Sequence, residues 1–225
     1  MNIDKISILL LPFSWIYGIV TAIRNRLYDY GVLPSISFPL PIICVGNINV
    51  GGTGKTPHTE YLIRLLSPTH KIAVLSRGYK RKTKGFIIAT STSTAEEIGD
   101  EPQQMHTKFP DITIAVDADR CEGVSRLLTT NPGFSGKYPS CIILDDAFQH
   151  RHIRAGLNIV LIDYNRPIFR DHLLPAGRLR EMPCGLNRAD VIIVTKCPSG
   201  ITQKETNEYA SHPCAGTMII FSVSF

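Results

Sequence analysis

The sequence lacks any C-x-x-C pair, and its six cysteines show no spacing typical of metal ligands. This absence excludes the common zinc-binding and dithiol motifs. Several of the cysteines lie within apolar runs, where a free cysteine behaves as a small hydrophobic residue. The cysteine pattern therefore favours a reducing environment such as the cytosol.

Internal repeats and low-complexity tracts are also absent. Apolar residues make up 44% of the chain and charged residues 19%, which is the composition of a globular protein slightly on the apolar side. At 225 residues, the chain can bury one substantial core, or form one domain with an appendage.

The net charge of +5 is modest, and much of it lies in a basic cluster between positions 77 and 84. The cluster consists of Arg77, Lys80, Arg81, Lys82 and Lys84. It predicts either a solvated face or a local anionic partner, such as phosphate or a lipid headgroup. The cluster has no aromatic interleaving beyond Tyr79, so we expect no nucleic-acid partner.

Residues 6–23 form a run of eighteen residues without a charge. Asp4 and Lys5 precede the run and no small-x-small site follows it, so signal-peptide cleavage is not expected. Arg24 and Arg26 come directly after it, which favours a helix that lies in or dips into the cytoplasmic leaflet. The alternative is a first helix packed on the protein's own core. We predict an apolar membrane-associated helix over residues 1–33, followed by the main domain over residues 34–225.

Residues 49–56 have the composition of a phosphate-binding loop, and they read Asn49-Val50-Gly51-Gly52-Thr53-Gly54-Lys55-Thr56. Apolar residues 41–45 precede the loop, and residues 58–66 after it are compatible with a helix. Glycines allow successive backbone N–H groups to converge on phosphate oxygens, and the helix N-terminus adds positive potential. Lys55 would reach the β- and γ-phosphates, and the Thr56 hydroxyl would bind Mg2+.

The loop departs from the pattern G-x-x-x-x-G-K-[ST] at its first position, where asparagine replaces glycine. Asparagine enters the left-handed backbone region more readily than most residues. We therefore expect Asn49 to preserve the loop. The alternative is a glycine-rich turn with an incidental lysine.

A second motif of nucleotide sites lies at residues 141–146, where an apolar run ends in Asp145 and Asp146. In P-loop proteins, an aspartate at the end of an apolar strand lies beside the Mg2+ of the nucleotide. The alternative is a pair of solvated loop aspartates. The two motifs together predict a nucleotide phosphate site with a metal ion.

Apolar runs alternate with helix-compatible segments along the chain. Strands are predicted at residues 41–45, 71–76, 112–116, 141–144, 158–163, 190–196 and 218–225, with a strand or hairpin arm at 85–90. Helices are predicted at residues 58–66, 103–108 and 119–129, and a loop at 130–140. Residues 94–97 resemble a capping box, but Gly99 and Pro102 predict a loop over residues 99–102. The alternation indicates an α/β fold, a P-loop NTPase with a mostly parallel sheet and helices on both faces.

Six motifs occur in order along the chain. They are Val45-Gly46-Asn47, Gly51-Gly52-Thr53-Gly54-Lys55-Thr56-Pro57, Ser76-Arg77-Gly78-Tyr79, Gly99-Asp100-Glu101-Pro102, Asp145-Asp146-Ala147-Phe148-Gln149-His150 and Leu174-Pro175-Ala176-Gly177-Arg178-Leu179-Arg180-Glu181. In this combination the sequence resembles the tetraacyldisaccharide 4'-kinase family of lipid A biosynthesis, from the N-terminal apolar helix to the last residue.

The resemblance implies a lipid kinase that transfers the ATP γ-phosphate to the 4'-hydroxyl of tetraacyldisaccharide 1-phosphate. Its cofactors would be ATP and Mg2+, and its partners the acylated disaccharide phospholipid and the cytoplasmic leaflet of the bacterial inner membrane. Lys55 and Asp146 would be catalytic, with Asp100 as the candidate base. Nucleotide would be bound by the loop at 49–56 with Gln149 and Arg180. The implied metal ligands are Thr56, Asp145, Asp146 and Glu181.

Two features depart from the family pattern. Ala147 stands where the family more often has glycine, a small change that we expect only to tighten the loop. Members of the family also continue well past the last residue of this chain, and a histidine thought to assist the base lies in that part. We therefore expect a chain that lacks the family's C-terminal part, and a nucleotide-binding fragment without transfer activity is an open alternative.

The main alternative from another class is a membrane-associated P-loop NTPase switch. GTPases usually read guanine with an Asn/Thr-Lys-x-Asp motif after a late strand. This chain has Thr195-Lys196-Cys197-Pro198, which lacks the aspartate. GTP specificity is therefore not expected.

Overall fold

A computed structural model describes residues 5–129, 138–210 and 218–223 of the chain. Its helices are α1 (Lys5–Asp29), α2 (Lys55–Leu66), α3 (Ala95–Ile98), α4 (Asp100–Lys108), α5 (Arg120–Thr129) and α6 (Gln203–Ala210). Its strands are β1 (Ile42–Asn47), β2 (Ile72–Ser76), β3 (Ile87–Ile88), β4 (Thr113–Val116), β5 (Cys141–Asp145), β6 (Leu157–Asp163), β7 (Val191–Cys197) and β8 (Met218–Val223). Two short 3-10 helices lie at Ile168–Arg170 and Pro183–Arg188.

The described chain forms two compact units. The first unit contains Met1–Pro34, Gly46–Gly54 and Asn158–Phe225, and the second contains Ser35–Val45 and Lys55–Leu157. Both units have the βαβ character expected from the alternation of apolar runs and helical segments. The predicted α/β fold with a mostly parallel sheet is therefore confirmed.

In the second unit the strands lie in the order β3-β4-β2-β5-β1. All neighbouring pairs are parallel except β3 with β4, which is antiparallel. Strands β2 and β5 are buried along their whole length. This burial is typical of parallel strands that helices cover on both faces, and it explains why these strands read as unbroken apolar runs.

Helices cover both faces of the second unit's sheet because its connections run in two directions. The chain passes from β1 through α2 to β2 and onward to β4, and then returns through α5 to β5. Right-handed crossovers place α2 and α4 on one face and α5 on the other. An ion pair between Glu60 of α2 and Lys108 of α4 joins the two helices that share a face.

Helix α5 packs closely against β2 at Gly123. A Cβ atom on Gly123 would lie 2.7 Å from Cδ2 and 2.9 Å from Cδ1 of Leu75, and 3.2 Å from Cβ of Asp117. Leu75 is fully buried, so its methyl groups have little room to move. The glycine therefore sets the distance between helix and strand.

We expect Gly123→Ala to lower the free energy of unfolding by about 1 kcal/mol. Overpacking against Leu75 costs roughly 1–3 kcal/mol, whereas alanine in a helix gains about 1 kcal/mol over glycine. Urea unfolding followed by circular dichroism measures the difference. Adding Leu75→Val makes room for the methyl group and should recover part of the loss. An alanine variant as stable as the parent would contradict this account of the packing.

In the first unit, β6, β7 and β8 pair in parallel in that order. Three aromatic rings pack around Tyr209 of α6, with centroid distances of 5.5 to 6.0 Å to Phe169, Tyr164 and Phe221. The Tyr209 hydroxyl donates a hydrogen bond to the Tyr164 carbonyl. Helix α6 is therefore fixed to the strands by aromatic packing, although its own sequence is largely polar.

The stretch Ile8–Asp29 of α1 is long and apolar enough to cross a membrane, by length and composition alone. Core helices and signal sequences pass the same test, but only 11% of its most apolar window is buried in this structure. Its large exposed side chains are Ile8, Leu9, Phe13, Trp15, Ile16, Ile19, Val20 and Ile23. These side chains lie outside the protein's own core.

Two details of the second unit differ from the prediction. Helix α4 begins at Asp100, so residues 100–102 are not a loop, because Pro102 is tolerated in the first turn of a helix. The capping box at Thr94 and Glu97 does open a helix, the single turn α3, before Gly99 adopts φ +94. Of the predicted loop at 130–140, residues 130–137 lie outside the described part of the chain. The same holds for residues 224 and 225 of the last predicted strand.

Candidate active site

The loop that follows β1 is held by the segment before Glu181, within the first unit. The Val50 amide donates to the Arg178 carbonyl at 2.8 Å, and the Arg180 amide donates to the Ile48 carbonyl at 2.7 Å. Asn49 and Leu179 thereby form an isolated antiparallel bridge. The first half of the loop is thus bound to the backbone of the segment that carries Arg180.

Hydrogen bonds within the loop fix its glycine-rich half. The Asn47 amide group donates to the Thr53 hydroxyl at 2.8 Å, and the Thr53 backbone amide donates to the Gly51 carbonyl at 3.0 Å. Gly51 has φ +126 and Gly54 has φ +86, values that side chains rarely allow. Glycine is therefore required at both positions for conformational reasons.

We expected the loop to tolerate Asn49 because asparagine readily enters the left-handed backbone region, and that reason is wrong. Asn49 is not among the described residues with positive φ, because its bridge to Leu179 requires extended backbone. Its side chain is 3% exposed, and neither of its polar atoms has a hydrogen-bond partner among the described residues. Position 49 therefore accepts asparagine because the bridge removes the need for a left-handed conformation.

Lys55 and Asp146 meet at the start of α2, within the second unit. Lys55 is the first residue of the helix, and its Nζ lies 3.7 Å from Oδ1 of Asp146. The lysine side chain is 12% exposed and the aspartate side chain 29%. Asp146 follows β5 directly with φ +51, and its amide donates to the Val45 carbonyl. A positive φ in a non-glycine residue costs of order 1 kcal/mol, and such strain is concentrated at functional sites.

Asp145 has a different environment from its neighbour. It is 1% exposed, and its two oxygens lie 3.4 Å from the Thr59 hydroxyl and 3.3 Å from the Ser76 hydroxyl. Burial raises the pKa of Asp145 to about 6, with Glu101 and Asp146 adding to the rise and Lys55 opposing it. Asp146 is therefore the more accessible of the two carboxylates, while Asp145 links β5 to α2 and β2.

The remaining predicted residues of the second unit lie on neighbouring elements. Thr56 is the second residue of α2 and is half-buried, and Gln149 follows Phe148 and is also half-buried. Asp100 is the first residue of α4 and is exposed. Glu101, in the first turn of α4, adds to the rise in the pKa of Asp145.

In the first unit, Arg180 and Glu181 are held by α1 and by a neighbouring arginine. The Tyr17 hydroxyl donates to the Arg180 carbonyl at 2.7 Å. Oε2 of Glu181, a residue only 3% exposed, accepts hydrogen bonds from Asn25 at 3.1 Å and Arg188 at 2.8 Å. An asparagine and an arginine thus fix one oxygen of this carboxylate.

These supporting residues were missed by the sequence reasoning. Thr59, Tyr17, Asn25 and Arg188 belong to none of the recognised motifs, whereas Ser76 opens the motif Ser76-Arg77-Gly78-Tyr79 but was given no role at the site. Thr59 lies one helical turn after Lys55, and that spacing is its only sequence signal. The others come from distant parts of the chain, so their proximity depends on the tertiary fold.

Part of the basic cluster is occupied by internal contacts. Arg81 donates to the Gly85 carbonyl, and Lys82 pairs with Glu96 at 2.7 Å with both side chains at least 70% exposed. Lys80 lies over the Tyr79 ring, with its Nζ 5.5 Å from the ring centroid. These contacts favour the solvated-face interpretation for Lys82, whereas Arg81 is partly buried and burial lowers its pKa.

The folded chain also brings ligand-type atoms of Asp119, Cys121 and His150 within 4.8 Å of one another. Helix capping accounts for Asp119, since its Oδ1 accepts the Cys121 amide at 2.8 Å and the Glu122 amide at 3.3 Å. Burial raises the pKa of the Cys121 thiol to about 11, so the thiol is neutral at neutral pH. The group is consistent with a capped helix end packed on a loop.

The sequence profile of the tetraacyldisaccharide-1-P 4'-kinase family (LpxK) matches residues 6–221. The chain belongs to this family. It is 57% identical over 205 residues to a tetraacyldisaccharide 4'-kinase from Bacteroides thetaiotaomicron, which covers 90% of this chain and 52% of that relative. It is 58% identical over 208 residues to one from Bacteroides fragilis, which covers 92% of this chain and 54% of that relative. The chain thus spans about half the length of these curated relatives.

A family member of known structure is similar over almost the whole chain. The crystal structure of LpxK from Aquifex aeolicus in complex with ATP shares 30% sequence identity with it, with a TM-score of 0.76. The similarity covers 98% of this chain and 82% of that one. The P-loop NTPase architecture and the family resemblance seen in the motifs are therefore confirmed.

Proposed function

We propose that this chain carries the phosphoryl-transfer site of a tetraacyldisaccharide 4'-kinase. It would transfer the γ-phosphate of ATP to the 4'-hydroxyl of tetraacyldisaccharide 1-phosphate in lipid A biosynthesis. The observation that carries the proposal is the pair at the start of α2, where Nζ of Lys55 lies 3.7 Å from Oδ1 of Asp146. A cation on a phosphate loop beside a carboxylate at a strand end is the arrangement that binds a metal–nucleotide complex.

Each residue of the site has a proposed task. The backbone of residues 49–54 would hold the nucleotide phosphates, and Lys55 would stabilise the charge that develops on the transferred group. Gln149 and Arg180 would complete nucleotide binding, as the resemblance implies. Asp100 would accept the proton of the attacking hydroxyl, and its exposed position at the start of α4 leaves it accessible to an acceptor.

The residues present fit a magnesium ion. Asp146 and Thr56 offer accessible hard oxygen ligands, which Mg2+ prefers. Asp145 and Glu181 would complete the ligand set, as the resemblance implies. When bound, Mg2+ neutralises phosphate charge and aligns the transferred group.

The acceptor's acyl chains make a membrane surface the natural place for the reaction. We propose that α1 rests in the cytoplasmic leaflet of the inner membrane, with residues 1–33 acting as the membrane-associated segment. The exposed row of Leu9, Phe13, Ile16 and Val20 supports this role, since burying such side chains in lipid is favourable.

Transfer of labelled γ-phosphate from ATP to tetraacyldisaccharide 1-phosphate in detergent micelles tests the proposal. We expect the unmutated chain to transfer phosphate and Asp146→Asn to lose at least about a hundredfold of the rate, because a neutral amide is a weak metal ligand. Asp111→Asn makes the same chemical change at an exposed position before β4 and should leave the rate unaltered.

Other outcomes identify the alternatives. ATP binding without any transfer would reduce the chain to a nucleotide-binding fragment. Efficient displacement of ATP by GTP would instead favour an NTPase switch. Equal rates for the parent and Asp146→Asn would remove the metal-binding role from Asp146.

A further inference from the structure

The end of β7 has an unusual backbone. Lys196 adopts φ +59, in the left-handed region that favours glycine, and the pairing of β7 with β8 shifts register between Val194 and Cys197. A lysine in this conformation costs of order 1 kcal/mol and persists only where its surroundings determine it. The contacts of the Lys196 side chain hold its backbone in this conformation.

The Lys196 ammonium group joins the loop to the end of β6. Its Nζ donates to the Gly52 carbonyl at 2.6 Å and to Oδ2 of Asp163 at 2.6 Å. Asp163 is the last residue of β6, its side chain is only 5% exposed, and its other oxygen accepts the Asn165 amide at 2.9 Å. Burial acts to raise the pKa of Asp163, but the hydrogen bonds from Lys196 and Asn165 outweigh it and the pKa is lowered. The carboxylate is therefore charged and holds the ammonium in place.

The preceding residue binds the next carbonyl of the loop. The Thr195 hydroxyl donates to the Thr53 carbonyl at 3.0 Å, and it also lies 3.3 Å from the Ile162 carbonyl. The Gly51 carbonyl accepts the Thr53 amide. Three successive carbonyl oxygens of the loop, those of Gly51, Gly52 and Thr53, thus have donors within the first unit.

The direction of these carbonyls decides what the loop can bind. In a trans peptide the C=O and the following N–H point to opposite sides. With the Thr53 carbonyl held toward β7, the Gly54 amide is turned to the other side, away from the strand. A phosphate loop requires its amides to face the anion and its carbonyls to face away, since carbonyl oxygens repel phosphate.

We infer that Lys196 and Thr195 form a carbonyl clamp that presets the phosphate loop for nucleotide binding. The inference rests on the proposed nucleotide function of residues 49–56, and it assigns a positioning role to two residues outside the recognised motifs. Presetting lowers the entropy cost of binding, because the loop does not have to be ordered by the ligand. The clamp acts through the loop backbone, so Lys196 and Thr195 are positioning residues.

The test measures nucleotide affinity with a fluorescent ATP analogue. Thr195→Val removes the hydroxyl while keeping the shape of the side chain, and Thr195→Ser keeps the hydroxyl. We expect the valine variant to bind about fivefold more weakly and the serine variant to stay within about twofold of the parent, as the loss of one hydrogen bond predicts. Equal affinity of the valine and serine variants would overturn the role of Thr195.

Lys196→Met tests the second half of the clamp. Because Lys196→Met removes the cation that pairs with the buried Asp163 carboxylate, the double variant Lys196→Met/Asp163→Asn is measured with it. Both should bind the analogue about fivefold more weakly or worse. Lys204→Met removes an exposed lysine of α6 and should bind as the parent does. Affinities of both Lys196 variants within twofold of the parent would overturn the role of Lys196.

Amide hydrogen exchange of the nucleotide-free protein distinguishes a positioning role in the loop from a purely structural ion pair. We expect exchange of the peptide covering residues 48–56 to become about threefold faster in Thr195→Val, with peptides from β6 and α6 unchanged. Equal acceleration across the first unit would mean general destabilisation and overturn the clamp. If the unmutated chain fails to bind the analogue, the proposed function itself is overturned. If it binds and the variants bind equally well, only the clamp is overturned.

Discussion

Replacing Lys55 by alanine is expected to lower the rate of phosphoryl transfer by about 10²–10³-fold, the usual cost of losing one preorganised charge at a transition state. Lys55 is the first residue of α2, is largely buried, and lies beside Asp146. Phosphoryl transfer passes through a loose transition state, so its rate depends mainly on positioning and charge neutralisation. Steady-state transfer of labelled phosphate in micelles measures the effect.

The same argument ranks Lys55 above Asp100. Asp100 is exposed at the start of α4, and proton removal matters less when the attacking bond is only weakly formed. Asp100→Ala should therefore lose less turnover than Lys55→Ala. Lys71→Ala, at the opposite end of β2 from the phosphate loop, serves as the matched lysine control. A loss for Asp100→Ala that equals or exceeds that of Lys55→Ala would reverse the ranking.

Replacing Arg188 by methionine is expected to lower the free energy of unfolding by about 2–3 kcal/mol. Glu181 is buried, and Arg188 donates a hydrogen bond to its Oε2, as Asn25 also does. Breaking a buried ion pair costs roughly 3–5 kcal/mol, and the 22% exposure of the Arg188 side chain places this pair below that range. Chemical denaturation of the unliganded protein measures the change.

Two further variants separate the buried charge from packing. Adding Glu181→Gln to Arg188→Met should recover part of the stability, because a buried amide costs less than an unpaired carboxylate. Arg126→Met breaks an ion pair with Glu122 whose side chains are more than half exposed, and should cost less than about 0.5 kcal/mol. A similar small cost for Arg188→Met would mean that the stability of buried Glu181 does not depend on this arginine.

The parts of this structure that sequence reasoning could reach are those with local signals. The phosphate loop, the strand ending in Asp145 and Asp146, and the α/β order follow from residue spacing and apolar runs, which depend on the nearest neighbours in the chain. Helix α6 was not expected, because its sequence is largely polar and its packing depends on contacts of Tyr209 with distant rings. Propensity alone cannot reveal an element that tertiary packing stabilises.

The residues of the candidate site also divide into those with a local sequence signal and those without one. Lys55 and Asp146 were predicted because each belongs to a motif with a physical purpose, whereas Thr59 and Lys196 contact the site from positions outside the six motifs. The reason for accepting Asn49 could not be found locally, since it depends on the bridge to Leu179, which lies 130 residues later in the chain. Contacts between distant segments depend on register and loop paths, which a single sequence does not specify.

Helix α1 also limits how the protein could be engineered for study in solution. Deleting the apolar helix would remove the Tyr17 donor to the Arg180 carbonyl, the Asn25 donor to Glu181, and the Ser14 hydroxyl that binds the Leu173 carbonyl. A protein without this helix would lose the hydrogen bonds that support the segment around Arg180. That segment binds the start of the phosphate loop. A more soluble version should instead keep the helix and exchange outward side chains such as Leu9, Phe13 or Ile16 for polar ones.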